Sequence, residues 1–261
     1  MISIVTPTYN SVALLKRTVD FIRLSSSNRE HIIVDGGSSD GTVEYLRSLN
    51  DKHIRFISEP DQGMYDAIHK GFEMAQGTYL GWLNAGDYYY PWTLSTVTGV
   101  FQKLPTVEWV TGVPARMYPS GNVEISSYIP IYSRWFVSKG FCNGRTLPLI
   151  QQESTFWRKS LWDRSKAKEI LRGQGRGCGI ASDYKLWCHL AKFADLYTIR
   201  TPLAAFAVTP GQISEKHRLQ YFQDCGLLKI PEKPNWFSHQ AFKLLSIATA
   251  RKAISVSLLG L

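Results

Sequence analysis

The 261-residue chain has no uninterrupted apolar stretch of about 18 residues, so no membrane-spanning helix is expected. Its opening, MISIVTPTYN, lacks a basic segment followed by an apolar run and reads as a first β-strand, not a secretory signal. The four cysteines, Cys142, Cys178, Cys188 and Cys225, form no CxxC pair and share no His/Cys spacing that suits zinc. Free thiols in a reducing cytoplasm are therefore expected. Neither GxGxxG nor GxxxxGK[ST] occurs near the N-terminus, which argues against a nucleotidyltransferase-like enzyme built on a glycine-rich phosphate loop. Internal repeats and low-complexity tracts are missing too. With 44% hydrophobic and 20% charged residues the composition is that of a folded globular chain.

The charge that is present is unevenly spread. Residues 1–100 carry 8 basic against 11 acidic side chains, a net of −3, whereas residues 101–261 carry 22 against 10, a net of +12. The early carboxylates gather in turns, where a metal or nucleotide site could use them. The basic second part suits an anionic partner: nucleic acid, lipid head groups or a phosphorylated substrate. A well-solvated basic surface would account for it as well. Its basic residues do not group with aromatics as in an RNA-binding motif, so no nucleic-acid partner is expected.

Along the first 90 residues apolar β-rich runs alternate with helical periods. Ile2–Thr6, His31–Val34, Ile54–Ser58 and Tyr79–Leu83 read as strands. Ser11–Arg23, with Ser11 as N-cap, Thr42–Leu49 and Met64–Gln76 read as helices. Four such alternations predict an α/β fold with a mostly parallel sheet flanked by helices. Ligands in such sheets bind beyond the carboxyl ends of the strands, and the polar clusters at 6–10, 35–40 and 84–87 all fall there. Farther on, residues 105–148 are rich in Tyr, Trp, Pro and Gly. Residues 151–165 and 181–194 look helical, and 197–208 alternates like one strand. From Ser238 to Leu261 an apolar tail with Lys243, Arg251 and Lys252 interspersed suggests an amphipathic surface helix.

Several carboxylates stand where chemistry could use them. Asp87 follows the fourth strand through a small Ala-Gly link and could hold a hard divalent cation beside a diphosphate, or cap the next turn. Asp35, with Gly36, Gly37, Ser38, Ser39 and Asp40 behind it, could accept hydrogen bonds from a base or ribose, or form an Asx-turn ending in a cap at Asp40. Asp61 and Asp66 flank the start of the third helix and could contact a nucleotide or cap that helix. Asp183 opens a helix, as a residue favoured by the helix dipole or as a general base. Glu153 lies in the polar and aromatic run 151–158.

Taken together, SIVTPTYNS at the start, VDGGSSDGT at 34–42, EPDQGMYDAIHKG at 59–71, LNAGD at 83–87, QQESTFWRKSLW at 151–162 and ASDYKLW at 181–187 resemble the motifs of family 2 glycosyltransferases of the GT-A fold. The resemblance spans about residues 2–215. It implies a GT-A, Rossmann-like sheet with a nucleotide-sugar-binding half at 1–104, an acceptor-binding and catalytic half at 105–215 and a C-terminal extension at 216–261.

It also implies roles. Thr6, Pro7 and Tyr9 would line the nucleotide base, and Asp35 would bind the base or its ribose. Gly36, Ser38, Asp61, Asp66, Asn84 and Gly86 would complete the donor site. Asp87 would occupy the last place of the family's DxD-type metal motif, with Asn84 where an acidic residue usually stands. The cofactor implied is a divalent cation, Mg2+ or Mn2+. Asp183 matches the catalytic base of the family's glutamate–aspartate motif, with Ser182 in place of the glutamate, and Glu153 is the second candidate. Gly211–Ser214 resembles a loop that closes over the diphosphate, with Gln212 and His217 taking part. The expected partners are a nucleotide-sugar donor and a glycan or glycolipid acceptor in surface-polysaccharide assembly. The expected place is the cytoplasm, with peripheral contact on the anionic inner face of the cell membrane.

Overall fold

The computed structural model describes residues 1–25, 28–171, 180–209, 218–225 and 252–260. Strands β1 (Ile2–Thr8), β2 (Arg29–Asp35), β3 (Ile54–Ser58) and β4 (Tyr79–Trp82) alternate with helices α1 (Val12–Ser25), α2 (Thr42–Ser48) and α3 (Met64–Met74), as the periodicity predicts. Then come β5 (Tyr88–Tyr89), α4 (Thr93–Lys103), β6 (Trp109–Thr111), β7 (Ala115–Met117), β8 (Val123–Ile125) and α5 (Arg134–Ser138). A 3₁₀ turn at Gln152–Ser154 leads to β9 (Phe156–Arg158), α6 (Lys159–Ser165), α7 (Lys168–Leu171) and α8 (Ser182–Leu190). Strands β10 (Leu196–Ile199) and β11 (Ala204–Ala207), a helix at Arg218–Asp224 and β12 (Ala253–Ile254) follow.

The main sheet runs β12-β10-β6-β9-β4-β1-β2-β3 and is parallel except at β9. A second sheet runs β5-β11-β7-β8. On one face α3, α7 and α8 cover a core rich in tryptophan: Trp82, Trp109, Trp157 and Trp187, with Phe72 wedged against Trp82 and Trp157. On the other face Ile22 of α1 and Leu94, Val97 and Val100 of α4 pack against Ile2 and Ile4. Because side chains alternate across a strand, Val5 turns to the tryptophan face while Ile4 turns away.

Three sequence expectations are corrected. Residues 151–165 are not one helix: Phe156 and Trp157 are fully buried on opposite faces of β9, which wedges antiparallel between β4 and β6. A three-residue strand is too short to display its period. Residues 197–208 form two strands instead of one, broken around Thr201-Pro202, where proline supplies no N–H for a ladder. Within the expected amphipathic tail, Ala253–Ile254 pair with β10, and Lys252 Nζ lies 2.6 Å from Asp195. That lysine is paired within the fold. Lys243 and Arg251 lie outside the described residues. Among the described residues no helix is long and apolar enough to cross a membrane.

Helix α3 sits close on β1 because Gly71 leaves room: a Cβ there would lie 2.3 Å from Val5 Cγ1. Alanine would gain about 1 kcal/mol of helix propensity, but forcing a methyl into a filled core costs about 1–3 kcal/mol. Overpacking should prevail, so Gly71→Ala is expected to lower the Tm by roughly 2–8 °C. A thermal melt unchanged from wild type would show that α3 has slack.

Candidate active site

The ends of β1, β2 and β3 bring three loops together. Asn10, left-handed at φ 46°, donates its N–H to Ser38 Oγ (2.7 Å), and its Oδ1 accepts Ser39 N–H (2.8 Å). Ser11 stands at the N-cap position, its carbonyl accepting Leu15 N–H, but the side-chain bond comes from Asp40, whose Oδ2 accepts Val12 N–H at 2.9 Å, while Ser11 Oγ donates to Tyr9 O. Asp40 Oδ1 also takes Thr42 N–H and Oγ1–H, so this carboxylate caps two helices. Those bonds hold its carboxyl below the ordinary range, the Thr42 hydroxyl contributing most.

Two of the expected donor residues are held by hydrogen bonds within the fold. Asp35 is fully buried. Its Oδ2 accepts Gly37 N–H (3.2 Å), Ser38 N–H (3.0 Å) and Ser58 Oγ–H (2.7 Å), and its Oδ1 accepts Ser38 Oγ–H. Both oxygens thus brace the turn that follows β2 and tie it to β3. Thr6 exposes no surface, and its hydroxyl pairs with His31 Nε2 at 2.9 Å. Pro7 is buried, whereas Tyr9 is 63% exposed.

The surface that remains beside these loops is made by Tyr9, Gly36 and Asp61. A Cβ on Gly36 would lie 2.8 Å from Asp61 Oδ2 and 3.3 Å from the Tyr9 ring, so glycine lets them close up. Asp61 Oδ1 accepts Gly63 N–H at 2.8 Å. Burial raises its carboxyl above the usual range, with Asp66 and Asp35 adding repulsion. Asp66 accepts Gln62 N–H (3.1 Å) and lies 3.5 Å from Lys70 Nζ at the start of α3.

The second group of residues forms at the end of β4. Gly86 adopts φ 109°, a conformation open to glycine, and donates its N–H to Thr18 Oγ1 at 2.9 Å. Asp87, 5% exposed, accepts Ala207 N–H on Oδ1 at 2.9 Å, which ties the loop to β11. Gln152 lashes the loop from the other side, donating from Nε2 to Trp82 O (2.7 Å) and accepting Asn84 Nδ2–H on Oε1 (3.1 Å). The next residue, Glu153, is 3% exposed and lies within electrostatic reach of both Asp87 and Asp183. Asp183 sits in the first turn of α8, partly exposed, and its Oδ1 accepts Tyr184 N–H at 2.8 Å. Tyr65 of α3 places its hydroxyl 3.4 Å from the same oxygen and 3.1 Å from Ile180 O.

Burial raises all three carboxyls: Asp87 to about 7, Asp183 to about 6, and Glu153 well above its ordinary value, with Asp87 the next cause for Glu153. Two buried acceptors here, Asn84 Oδ1 and Glu153 Oε1, have no hydrogen-bond partner. Among the described residues no cluster of three or more His, Cys, Asp or Glu could by itself hold a metal ion.

Three residues of this region were not singled out from sequence. Tyr65 and Gln152 stand inside quoted motifs, which is the signal that could have found them. Tyr221, from the 218–224 helix, lies beside Asp183 and Tyr65, and Arg145 stacks on its neighbour Phe222 at 4.0 Å. Its segment falls beyond the region of resemblance and carries no motif. Gly211–Ser214, Gln212 and His217 lie outside the described residues.

Comparison with known proteins adds family and fold. The model of the family described as glycosyl transferase family 2 matches residues 3–164. An uncharacterized glycosyltransferase of Mycobacterium tuberculosis is 28% identical over 213 residues, 80% of this chain and 75% of that protein. A PGL/p-HBAD biosynthesis glycosyltransferase of Mycobacterium bovis is 38% identical over 95 residues, 34% of this chain and 37% of that protein. The mannosyltransferase PcManGT of Pyrobaculum calidifontis, solved with GDP-Man and Mn2+, superposes with a TM-score of 0.58 at 18% identity, covering 96% of this chain and 69% of that one. Crystal structures of S. aureus TarS share the fold at TM-scores of 0.56–0.59 and 13–16% identity; this chain covers 81–84% of its own length and 38–64% of theirs. The fold is GT-A, and the chain belongs to glycosyl transferase family 2, whose members are glycosyltransferases.

Proposed function

We propose that the protein transfers a sugar, with inversion at the anomeric carbon, from a nucleoside-diphosphate-sugar to a hydroxyl of a lipid-linked glycan acceptor in surface-polysaccharide assembly. One observation carries the reading: Glu153 lies within electrostatic reach of both Asp87 and Asp183, which come from distant segments, and Asp87 follows β4, the parallel neighbour of the β1 strand that leads to Tyr9. The nucleotide occupies that surface, with Tyr9 stacking on the base and Asp61 and the exposed backbone near Gly36 and Ser38 bonding base or ribose. The half at 1–104 thus binds the donor, and 105–215 supplies the base and the acceptor wall.

Asp183 takes the proton of the acceptor hydroxyl as its oxygen bonds to the anomeric carbon and the bond to the diphosphate breaks. The carboxyl, poised near 6, is ionised at neutral pH yet basic enough to receive a proton. Glu153 stands behind it, close to Asp87, as the second candidate for the base or for an acceptor contact. Asp87 and the unpartnered Asn84 Oδ1 are hard oxygen donors of the kind Mg2+ and Mn2+ take, with diphosphate oxygens needed to complete the set. A cation held there supplies positive charge to the departing diphosphate.

The +12 second part and the PGL/p-HBAD biosynthesis relative support an acceptor presented at the inner, anionic membrane face.

Donor choice is read by thermal shift. In a panel of nucleotide-sugars, each with Mn2+ or Mg2+, one donor is expected to raise the Tm by several degrees at a hundredfold excess over its Kd, about 2.7 kcal/mol of linkage. No shift with any donor, together with nucleic-acid affinity that falls steeply with salt, would replace this reading by a nucleic-acid-binding one.

A further inference from the structure

Tyr65 reaches from the donor-side helix α3 to Asp183. It is the second residue of α3, four residues after Asp61, and is 6% exposed. Its hydroxyl lies 3.1 Å from Ile180 O, just before α8, and 3.4 Å from Asp183 Oδ1. We infer that Tyr65 is a positioning residue for Asp183: it fixes the carboxylate against the donor-binding segment and serves both of its protonation states. The inference rests on Asp183 being the base.

A phenol carries one donor and two acceptor lone pairs. With Asp183 ionised, a small rotation turns the Tyr65 proton from Ile180 O to the carboxylate. When Asp183 has taken the acceptor's proton, that proton can be donated to Tyr65 Oη while the phenol returns to Ile180 O. No bond other than hydrogen bonds changes. The hydroxyl thus keeps the carboxyl pointed the same way before and after proton transfer, and any movement of α3 on donor binding is felt at the base.

Other groups face Asp183 and bound what Tyr65 can do. Glu153 approaches from the 152–154 turn, Tyr221 and Cys225 from the 218–225 segment, and Cys188 from α8 itself. Charge on Asp183 opposes ionisation of Glu153, whereas a hydrogen bond from Tyr65 favours ionisation of Asp183.

Tyr65→Phe keeps the ring and removes the hydroxyl. The expected result is a kcat about tenfold lower, a donor KM within about twofold of wild type, and an acidic limb of the kcat profile moved to higher pH. A ¹³C titration of the Asp183 carboxyl, read without turnover, should move the same way. A lower Tm with an unmoved limb and an unmoved titration would overturn the inference and leave Tyr65 as packing. Asp183→Asn runs alongside: if it retains transfer, the base assignment itself fails, whereas an inert Asp183→Asn with an unmoved Tyr65→Phe limb sinks only the role given to Tyr65.

Discussion

Asp183→Asn is expected to lower transfer by about 10³- to 10⁴-fold while leaving donor binding in place. Asparagine keeps the shape and can still accept Tyr184 N–H, so the helix start survives. It cannot take a proton, so the acceptor oxygen would have to attack without a base. Single-turnover transfer and donor titration by thermal shift separate the two effects. Wild-type transfer in the variant would remove Asp183 from the mechanism.

The same substitution should stabilise the protein. Burial lifts the Asp183 carboxyl from 3.8 to about 6, so the folded state holds this proton more tightly than the unfolded chain does. The group therefore favours folding below about pH 4. That advantage is lost as pH rises to about 6, above which the ionised carboxylate weighs against the fold. After discounting for its partial exposure, the penalty is about 2 kcal/mol at pH 7. Asp183→Asn is thus expected to melt several degrees higher at pH 8 and level with wild type at pH 4. A base kept costly to the fold is what a trade between activity and stability looks like in one residue.

The parallel sheet was legible in the sequence because each of its first four strands is an apolar run closed by a polar turn, a pattern that needs no distant partner. The turns at 35–40, 59–63 and 84–87 were legible for the same reason. The division of labour among their residues was not. Asp35 and Asp61 look equivalent in sequence, and the four hydrogen bonds that brace Asp35 against its turn and β3 appear only in the structure. The burial of Thr6 was not legible either, because β1 is covered on both faces and the partner of Thr6, His31, stands on the next strand. Strand β9 was hidden because three residues squeezed between two strands leave no period to read. Tyr65 was passed over because its partner lies 118 positions away, a separation no local pattern encodes.

Asp87 has two duties, and two variants should split them. Its Oδ1 accepts Ala207 N–H, so Asp87→Ala leaves that backbone donor without its partner at a cost of about 1–3 kcal/mol, whatever the carboxylate does for a ligand. Asp87→Asn can still accept from Ala207, and it removes a charge that burial already disfavours. Its Tm without ligand should therefore match or exceed wild type. What asparagine cannot supply is the negative charge that would hold Mn2+ or Mg2+ against a diphosphate. The variant is thus expected to lose the cation-dependent part of the thermal shift given by UDP or GDP, and to transfer sugar about 10²- to 10³-fold more slowly. If Asp87→Asn keeps both the cation-dependent shift and full transfer, Asp87 serves only to fasten the 84–87 loop to β11, and the departing diphosphate must be stabilised by other groups. If Asp87→Ala alone is impaired, in proportion to its lost stability, the same conclusion holds.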